Sequence, residues 1–190
     1  MLRASKTEIM GDAIFTVADV CTTVECAALV RIADGIGWDA APITTGPGRF
    51  VMAPDIRNNT RVILDDAGRA AELWRRLAPF VPRRAGWQAV GLNERFRFYR
   101  YEPGQFFFWH RDGAFVRNDE ERSFLTVMLY LADAVGGGTT DFDTRAGEFQ
   151  VAPRTGTALV FEHSLRHQGA PVERGVKLVL RTDVMFRRAV

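Results

Sequence analysis

His110 and Asp112 stand two residues apart in Phe106-Phe107-Phe108-Trp109-His110-Arg111-Asp112, an imidazole and a carboxylate set in an aromatic run. On a strand, side chains two apart share a face, so Phe106, Phe108, His110 and Asp112 are expected together, with Phe107, Trp109 and Arg111 opposite. At about 3.3 Å of rise per residue, such side chains can converge on one ion. One histidine and one aspartate from a strand, joined by a histidine from elsewhere, compose the facial triad of a non-haem Fe(II) centre, which leaves coordination positions open. The plain alternative is a partly buried histidine satisfied by a neighbouring carboxylate.

The chain has three histidines, His110, His163 and His167. His167 follows the apolar run Thr157 to Phe161 and should supply the third ligand from a late strand. Lys177, ten residues on, should lie on a strand that pairs back beside it. A cation there has a chemical use. 2-Oxoglutarate chelates iron through its C1 carboxylate and keto oxygen and leaves a second carboxylate for a charge-assisted contact. Lys177 is the first choice for that contact. Arg181, on the same face by alternation with Val179 and Asp183, is the competitor and would grip a carboxylate in bidentate fashion. Either could instead be an exposed charge on a strand edge. His163 reads as a neighbour of the site or a rim group, with the alternative that it replaces His167. Arg57, Asn58, Asn59 and Arg61 form either a lid or substrate contact or an ordinary turn. The face of Arg95, Arg97 and Tyr99 could recognise an anionic or peptide substrate, unless Arg97 braces the fold.

A strand-rich second half must position these groups. Arg95 to Tyr101 alternates, Pro103-Gly104 turns, and Phe106 to His110 returns. Ser123 to Leu131, the turn Gly136-Gly137-Gly138, Glu148 to Val151, Thr157 to Phe161 and Val176 to Phe186 follow. Short strands at near-regular spacing predict two packed antiparallel sheets, a double-stranded β-helix or cupin-like jelly roll with a wide mouth. Ahead of it, Ala13 to Val17 reads as a strand. Thr22 and Glu25 form a capping box opening a helix with Val24, Ala28, Ile32 and Leu29 along it, stopped by Gly35 and Gly37. Residues 38–61 read as loops with one or two short strands. A second helix is expected from about Asp66 to Leu77, with Ala67, Ala70, Trp74 and Leu77 on one face and Pro79 and Pro82 ending it. The fold class is therefore mainly β with N-terminal helices, in one domain: 1–86 as helical support and loops, 87–187 as the jelly-roll core.

Composition narrows the class. The 190 residues are 47% hydrophobic and 25% charged, which excludes a mainly disordered chain. A net charge of +2 does not call for a nucleic-acid partner. Cys21 and Cys26, five apart near a helix start, should point in different directions and remain unbridged, as in a reducing compartment. No apolar run reaches the roughly 18 residues of a membrane span, and the N-terminus has no signal-peptide core. A soluble cytoplasmic protein is expected.

The matching elements Tyr101-x-x-Gly104, His110-x-Asp112, Gly137-Gly138-x-Thr140-x-Phe142 and His167-x-Gly169-x-Pro171-Val172-x-x-Gly175-x-Lys177 occur in one order. Over residues 88 to 187 the chain resembles the 2-oxoglutarate and Fe(II)-dependent dioxygenases of the prolyl 4-hydroxylase type. The resemblance implies His110, Asp112 and His167 as catalytic metal ligands and Lys177 as the residue binding the distal carboxylate. It also implies Tyr101 and Thr140 as co-substrate contacts, with Arg181 outside the core motif. It further implies Fe(II), 2-oxoglutarate and molecular oxygen, with ascorbate as a candidate reductant. The activity would be oxidative decarboxylation of 2-oxoglutarate coupled to hydroxylation of a prolyl residue, peptide or small metabolite. Asp112 favours hydroxylation, since a halogenase of this class needs that ligand position vacant. One departure is Phe107, where the family often has a second tyrosine. The rival readings are a non-catalytic jelly-roll metal-binding or sensor module and a nucleic-acid demethylase. Against the latter stands the dispersal of Arg83-Arg84, Arg95-x-Arg97 and Arg187-Arg188, because nucleic-acid binding draws on clustered charge.

Overall fold

The computed structural model describes residues 4–46, 48–133 and 136–189. In chain order, β1 (Ser5–Met10) and β2 (Ile14–Ala18) form a hairpin ahead of α1 (Thr23–Ile36). The short strands β3 (Asp39–Ala40), β4 (Ile43–Gly46) and β5 (Arg49–Val51) lead to β6 (Thr60–Asp65) and α2 (Ala67–Leu77). Then come β7 (Trp87–Leu92), β8 (Arg95–Tyr101), β9 (Phe107–His110), β10 (Val116–Asn118), β11 (Glu121–Tyr130) and β12 (Gly136–Gly137). The remaining strands are β13 (Thr140–Thr144), β14 (Gly147–Val151), β15 (Ala158–Glu162), β16 (Arg166–Gly169), β17 (Val172–Arg174) and β18 (Lys177–Arg188).

Two antiparallel sheets carry the architecture. The larger runs β1-β2-β15-β11-β18-β8-β6-β3, with β10 on β11 and β7 on β18; the smaller runs β14-β13-β16-β9. One face of the larger sheet packs on the helices through Phe96, Phe98, Leu129, Leu180 and Val184 against Cys26, Leu29, Leu73 and Leu77. Its other face meets the smaller sheet through Tyr99, Met128, Tyr130 and Val179 against Phe142 and Val151. Hydrophobic burial on both faces holds the layers together at roughly 25 cal/mol per Å² of apolar surface. At the edge of the layers, β12 pairs with β17, and a Cβ on Gly137 would collide with the Pro171 carbonyl. With φ of 64° there as well, only glycine suits the position. Among the described residues no helix is long and apolar enough to cross a membrane.

The chain is mostly β, but its first part does more than the expected helical support and loops. β2 is the strand expected at Ala13 to Val17, and β1 and β6 join it as further strands of the larger sheet. β1 is polar because it is an exposed edge, and the polar run before Thr60 obscured where β6 begins. α1 has the expected capping box on Thr22 and Glu25, yet it buries Cys26, Leu29 and Ala33 while Val24 is 74% exposed. The four-residue spacing of Val24, Ala28 and Ile32 gave the wrong stripe, since the sheet accepts the small side chains Cys26 and Ala33. α2 buries Ala70, Leu73 and Leu77, with Ala67 exposed. Cys21 and Cys26 are both free and buried, but their thiols contact each other rather than pointing apart.

Candidate active site

His110 closes β9, Asp112 lies in the segment just beyond, and His167 sits directly across from His110 on β16. The two rings lie 4.2 Å apart between centroids. His110 Nε2 is 3.9 Å from Asp112 Oδ1, His167 Nε2 is 3.8 Å from Asp112 Oδ2, and the three donor atoms lie within 4.8 Å of one another. Each imidazole is oriented from behind by backbone: His110 Nδ1–H donates to the Phe108 carbonyl at 2.7 Å and His167 Nδ1–H to the Leu165 carbonyl at 3.1 Å. That tautomer turns both Nε2 lone pairs toward Asp112. Burial, with His167 beside it, pulls His110 down to about 3; burial, with Arg181 and Lys177 nearby, lowers His167 as well. Both are therefore neutral, the form in which imidazole binds metal. Two neutral nitrogens and one carboxylate oxygen on one side of an open cavity suit a non-haem Fe(II) ion.

The strand parity expected for Phe106 to Asp112 does not hold. Along β9 against β16, Phe107 pairs with Gly169 and His110 with His167, so three steps on one strand face two on the other. This bulge brings Phe107 to the side of His110. The Phe107 ring stacks on that imidazole at 3.6 Å and 16°, while Phe108 is 52% exposed.

Asp112 is held by a chain of hydrogen bonds. Phe115 N–H donates to Ser123 Oγ, Ser123 O–H to His163 Nε2, His163 Nδ1–H to Thr126 Oγ1, and Thr126 O–H to Asp112 Oδ2 at 2.6 Å. Every hydroxyl proton in this chain is used once, which makes His163 a neutral positioning group behind the triad. Its backbone carbonyl also accepts from Asp112 N. Arg181 pairs with Asp112 Oδ2 and with Asp183 Oδ1, both at 3.2 Å. Burial opposes charge on Asp112, but the Arg181 guanidinium and the two imidazoles hold its carboxyl well below the usual range.

Lys177 is 1% exposed, opposite Tyr101 across β18 and β8, with its Nζ 5.4 Å from the Tyr101 ring centre. Its polar contact is the Thr139 carbonyl at 3.4 Å, and it has no ion pair among the described residues. Burial therefore pulls it down to about 7, although Asp141 opposes the shift. Burial likewise pushes the Tyr101 phenol up to about 12, so it remains a hydroxyl donor. Thr140 is buried and shares a 2.9 Å hydrogen bond with the Tyr130 hydroxyl. Lys177, Tyr101, Thr140, Arg181 and the triad all line one cavity of about 640 Å³. Arg57, Arg61 and Arg97 line it too, whereas Arg95 instead binds Asp65 at the surface.

The family model of the 2OG-Fe(II) oxygenase superfamily matches residues 96–182, the span that holds all three donors and Lys177. Over that span the chain is similar to this superfamily. No curated protein matches it in sequence. Among solved structures, the chain shares its fold with viral collagen prolyl hydroxylase from Paramecium bursaria Chlorella virus-1 in complex with 2OG. There the TM-score is 0.63 at 20% identity over 93% of this chain and 97% of the other. A Pseudomonas putida prolyl-4-hydroxylase gives 0.63 at 22% identity over 94% of each chain. A Trichoplax adhaerens prolyl hydroxylase, solved with a hypoxia inducible factor peptide, gives 0.67 at 13% identity over 92% of this chain and 84% of the other.

Sequence reasoning missed Thr126 and Tyr130, although a signal was present. In the apolar run of β11, Thr126, Met128 and Tyr130 share a face by alternation, and polar atoms at core positions need partners. The role of Phe107 had no such signal, because a bulge leaves no mark on alternation.

Proposed function

We propose that this oxygenase hydroxylates a C–H bond of a small-molecule or peptide substrate while converting 2-oxoglutarate and oxygen to succinate and carbon dioxide. The observation that carries the reading is one cavity holding a His110, Asp112 and His167 donor set beside a buried lysine that lacks a carboxylate partner. His110, Asp112 and His167 would hold Fe(II), which when bound supplies the activation of oxygen. Lys177 receives the distal carboxylate of 2-oxoglutarate in a buried charge-assisted contact, with the Tyr101 hydroxyl beside it. Arg181, already engaged by Asp112 and Asp183, keeps the ligand carboxylate ionised and oriented instead. Thr140 and Tyr130 close the wall behind the co-substrate. Phe107, Phe142 and Phe161 surround the imidazoles and exclude water from the reacting face.

The two sheets form the double-stranded β-helix that suits such a site, and the described chain works as a single unit with the helices behind it. Prolyl or peptide substrates are supported by the neighbours named for collagen and for a hypoxia inducible factor peptide. The free thiols Cys21 and Cys26 fit a reducing, cytoplasmic compartment. The test is to supply Fe(II), oxygen and 2-oxoglutarate and to measure succinate, together with co-substrate binding with and without the metal. Succinate release and iron-dependent binding, both abolished by a chelator, are expected. Binding that ignores iron would sink the reading.

A further inference from the structure

The sheet face that carries Lys177 also brings to the cavity charge that the catalytic machinery leaves unanswered. Of the charged side chains lining the cavity, six are Lys or Arg and two, Asp112 and Asp183, are carboxylates. With iron and 2-oxoglutarate bound, the metal's two charges, Lys177 and Arg181 are balanced by Asp112, Asp183 and the two carboxylates of the co-substrate. Arg111 is exposed and donates to the Ser164 carbonyl. Among the described residues, Arg57, Arg61 and Arg97 form no ion pair apart from the 3.8 Å approach of Arg97 to the already paired Asp183, and the carboxylate facing Arg61 is that of Asp39, its register partner on β3.

Arg57 is the most telling of the three. It is 5% exposed, donates through Nε to Asn59 Oδ1 at 2.7 Å, lies against the phenols of Tyr99 and Tyr101, and leaves Nη2 without a hydrogen-bond partner among the described residues. Its guanidinium lies 4.4 Å from the Tyr99 ring centre and 4.3 Å from that of Phe107, the ring stacked on His110. Backbone fixes it there: Phe108 N donates to the Ile56 carbonyl at 2.8 Å and Phe106 N to Asn58 Oδ1 at 2.8 Å, so residues 56–58 run alongside β9. Arg61 pairs in register with Tyr99, and Arg97 Nη1 also lacks a hydrogen-bond partner. A buried donor left open costs free energy that a bound anion recovers.

We infer that Arg57, Arg61 and Arg97 form a receptor for a carboxylate of the substrate, separate from the place of 2-oxoglutarate. This rests on the oxygenase reading and deepens it. Distance separates the two anion positions. Lys177 pairs with Tyr101, whereas Arg61 pairs with Tyr99 and Arg97 with Arg181, two and four residues further along, or roughly 7 and 13 Å of backbone. The five-carbon co-substrate spans only about 5 Å between its terminal carbons, so with its distal end at Lys177 it falls short of Arg97. The receptor adjoins the ring stacked on a metal ligand, which would hold an acid with its nearby C–H bonds over the reacting face. Substrates would thus be carboxylic acids, or peptides presenting a carboxylate, rather than neutral compounds.

The experiment uses the full chain loaded with Fe(II) and 2-oxoglutarate in the absence of oxygen. Hexanoate, phenylacetate, N-acetyl-L-proline and N-acetyl-L-leucine are each titrated against their primary amides and followed by ligand-observed NMR. At least one acid should bind about tenfold or more tightly than its amide, as expected for a charge-assisted contact. Arg57→Gln and the less enclosed Arg61→Gln should each erase that preference, Arg57→Lys should restore part of it, and 2-oxoglutarate affinity should stay within about threefold. Thermal melting identifies any variant that fails to fold, in which case the Arg61→Gln result decides. Equal binding of acids and amides, or no binding by any acid, overturns the receptor. A parallel loss of 2-oxoglutarate affinity in Arg57→Gln or Arg61→Gln overturns it as well, by assigning that arginine to the co-substrate. Failure of the wild type to bind 2-oxoglutarate with iron is a separate outcome, which overturns the oxygenase reading and the receptor resting on it.

Discussion

On β18, Leu178, Leu180 and Val184 turn toward the helices, whereas Lys177, Val179, Arg181 and Asp183 turn toward the smaller sheet. The strand is continuous and the side chains alternate, yet the two faces serve different ends. The helix-facing cluster consists of apolar and aromatic side chains with two thiols. The inward face places Arg181, Lys177 and Asp183 in the same layer as Asp112, His163, His167 and Thr140. Burial of ions opposes folding unless they are paired, so the apolar face must outweigh what the catalytic face costs. Stability and chemistry are thereby separated by the thickness of one sheet.

The strongest challenge to that separation is Lys177→Met. Removing the cation should weaken 2-oxoglutarate binding by about a hundredfold or more, as for other buried charge pairs. The same change should raise the melting temperature of the unliganded protein, since a methionine of similar volume replaces a buried lysine that has no ion pair among the described residues. Calorimetric titration and thermal scans would read the two effects; a fall in both would mean that Lys177 also supports the fold. On the other face, Leu180→Ala should cost about 2–5 kcal/mol in denaturant unfolding. Co-substrate affinity of the folded fraction should change by no more than about threefold. A joint loss would show that the faces are not separable. A smaller effect is expected for Thr126→Val, which leaves Asp112 Oδ2 and the His163 Nδ1–H without their shared hydroxyl. Iron affinity should fall about 10- to 100-fold, as for other residues that orient metal ligands, and an iron titration would show it.

Much of this was legible in the sequence, for identifiable reasons. His110, Asp112, His167 and Lys177 are legible through the spacing of their motifs, β8 announces itself by alternation, and β11, β15 and β18 read as β-rich runs between turns. The side on which Phe107 would lie was not legible, since one inserted residue reverses parity without altering composition. β1 and β6 were hidden for another reason: polar strand edges look like loops until a partner strand is known. The choice between Lys177 and Arg181 required knowledge of which cation has a carboxylate against it. Arg57 could be noticed as part of a polar run, but only the bridge to Phe107 shows that the run enters the cavity.

The smallest effect, and the most diagnostic of the catalytic face, is the pH dependence of co-substrate binding. Unliganded Lys177 titrates at about 7 because burial disfavours its charge, and a bound carboxylate must raise that value. Affinity should therefore be fully developed below pH 7. It should weaken by at most about tenfold per unit as pH rises from 7 toward the higher pKa of the complex. Above pH 7, binding takes up a proton, so the measured enthalpy should vary with the ionisation enthalpy of the buffer. His110, held near 3, and Tyr101, near 12, titrate outside this window. Lys177→Met should consequently bind weakly but with no pH slope between 7 and 9. A slope that survives in Lys177→Met would assign the titration to another group and remove Lys177 from its place beside the distal carboxylate.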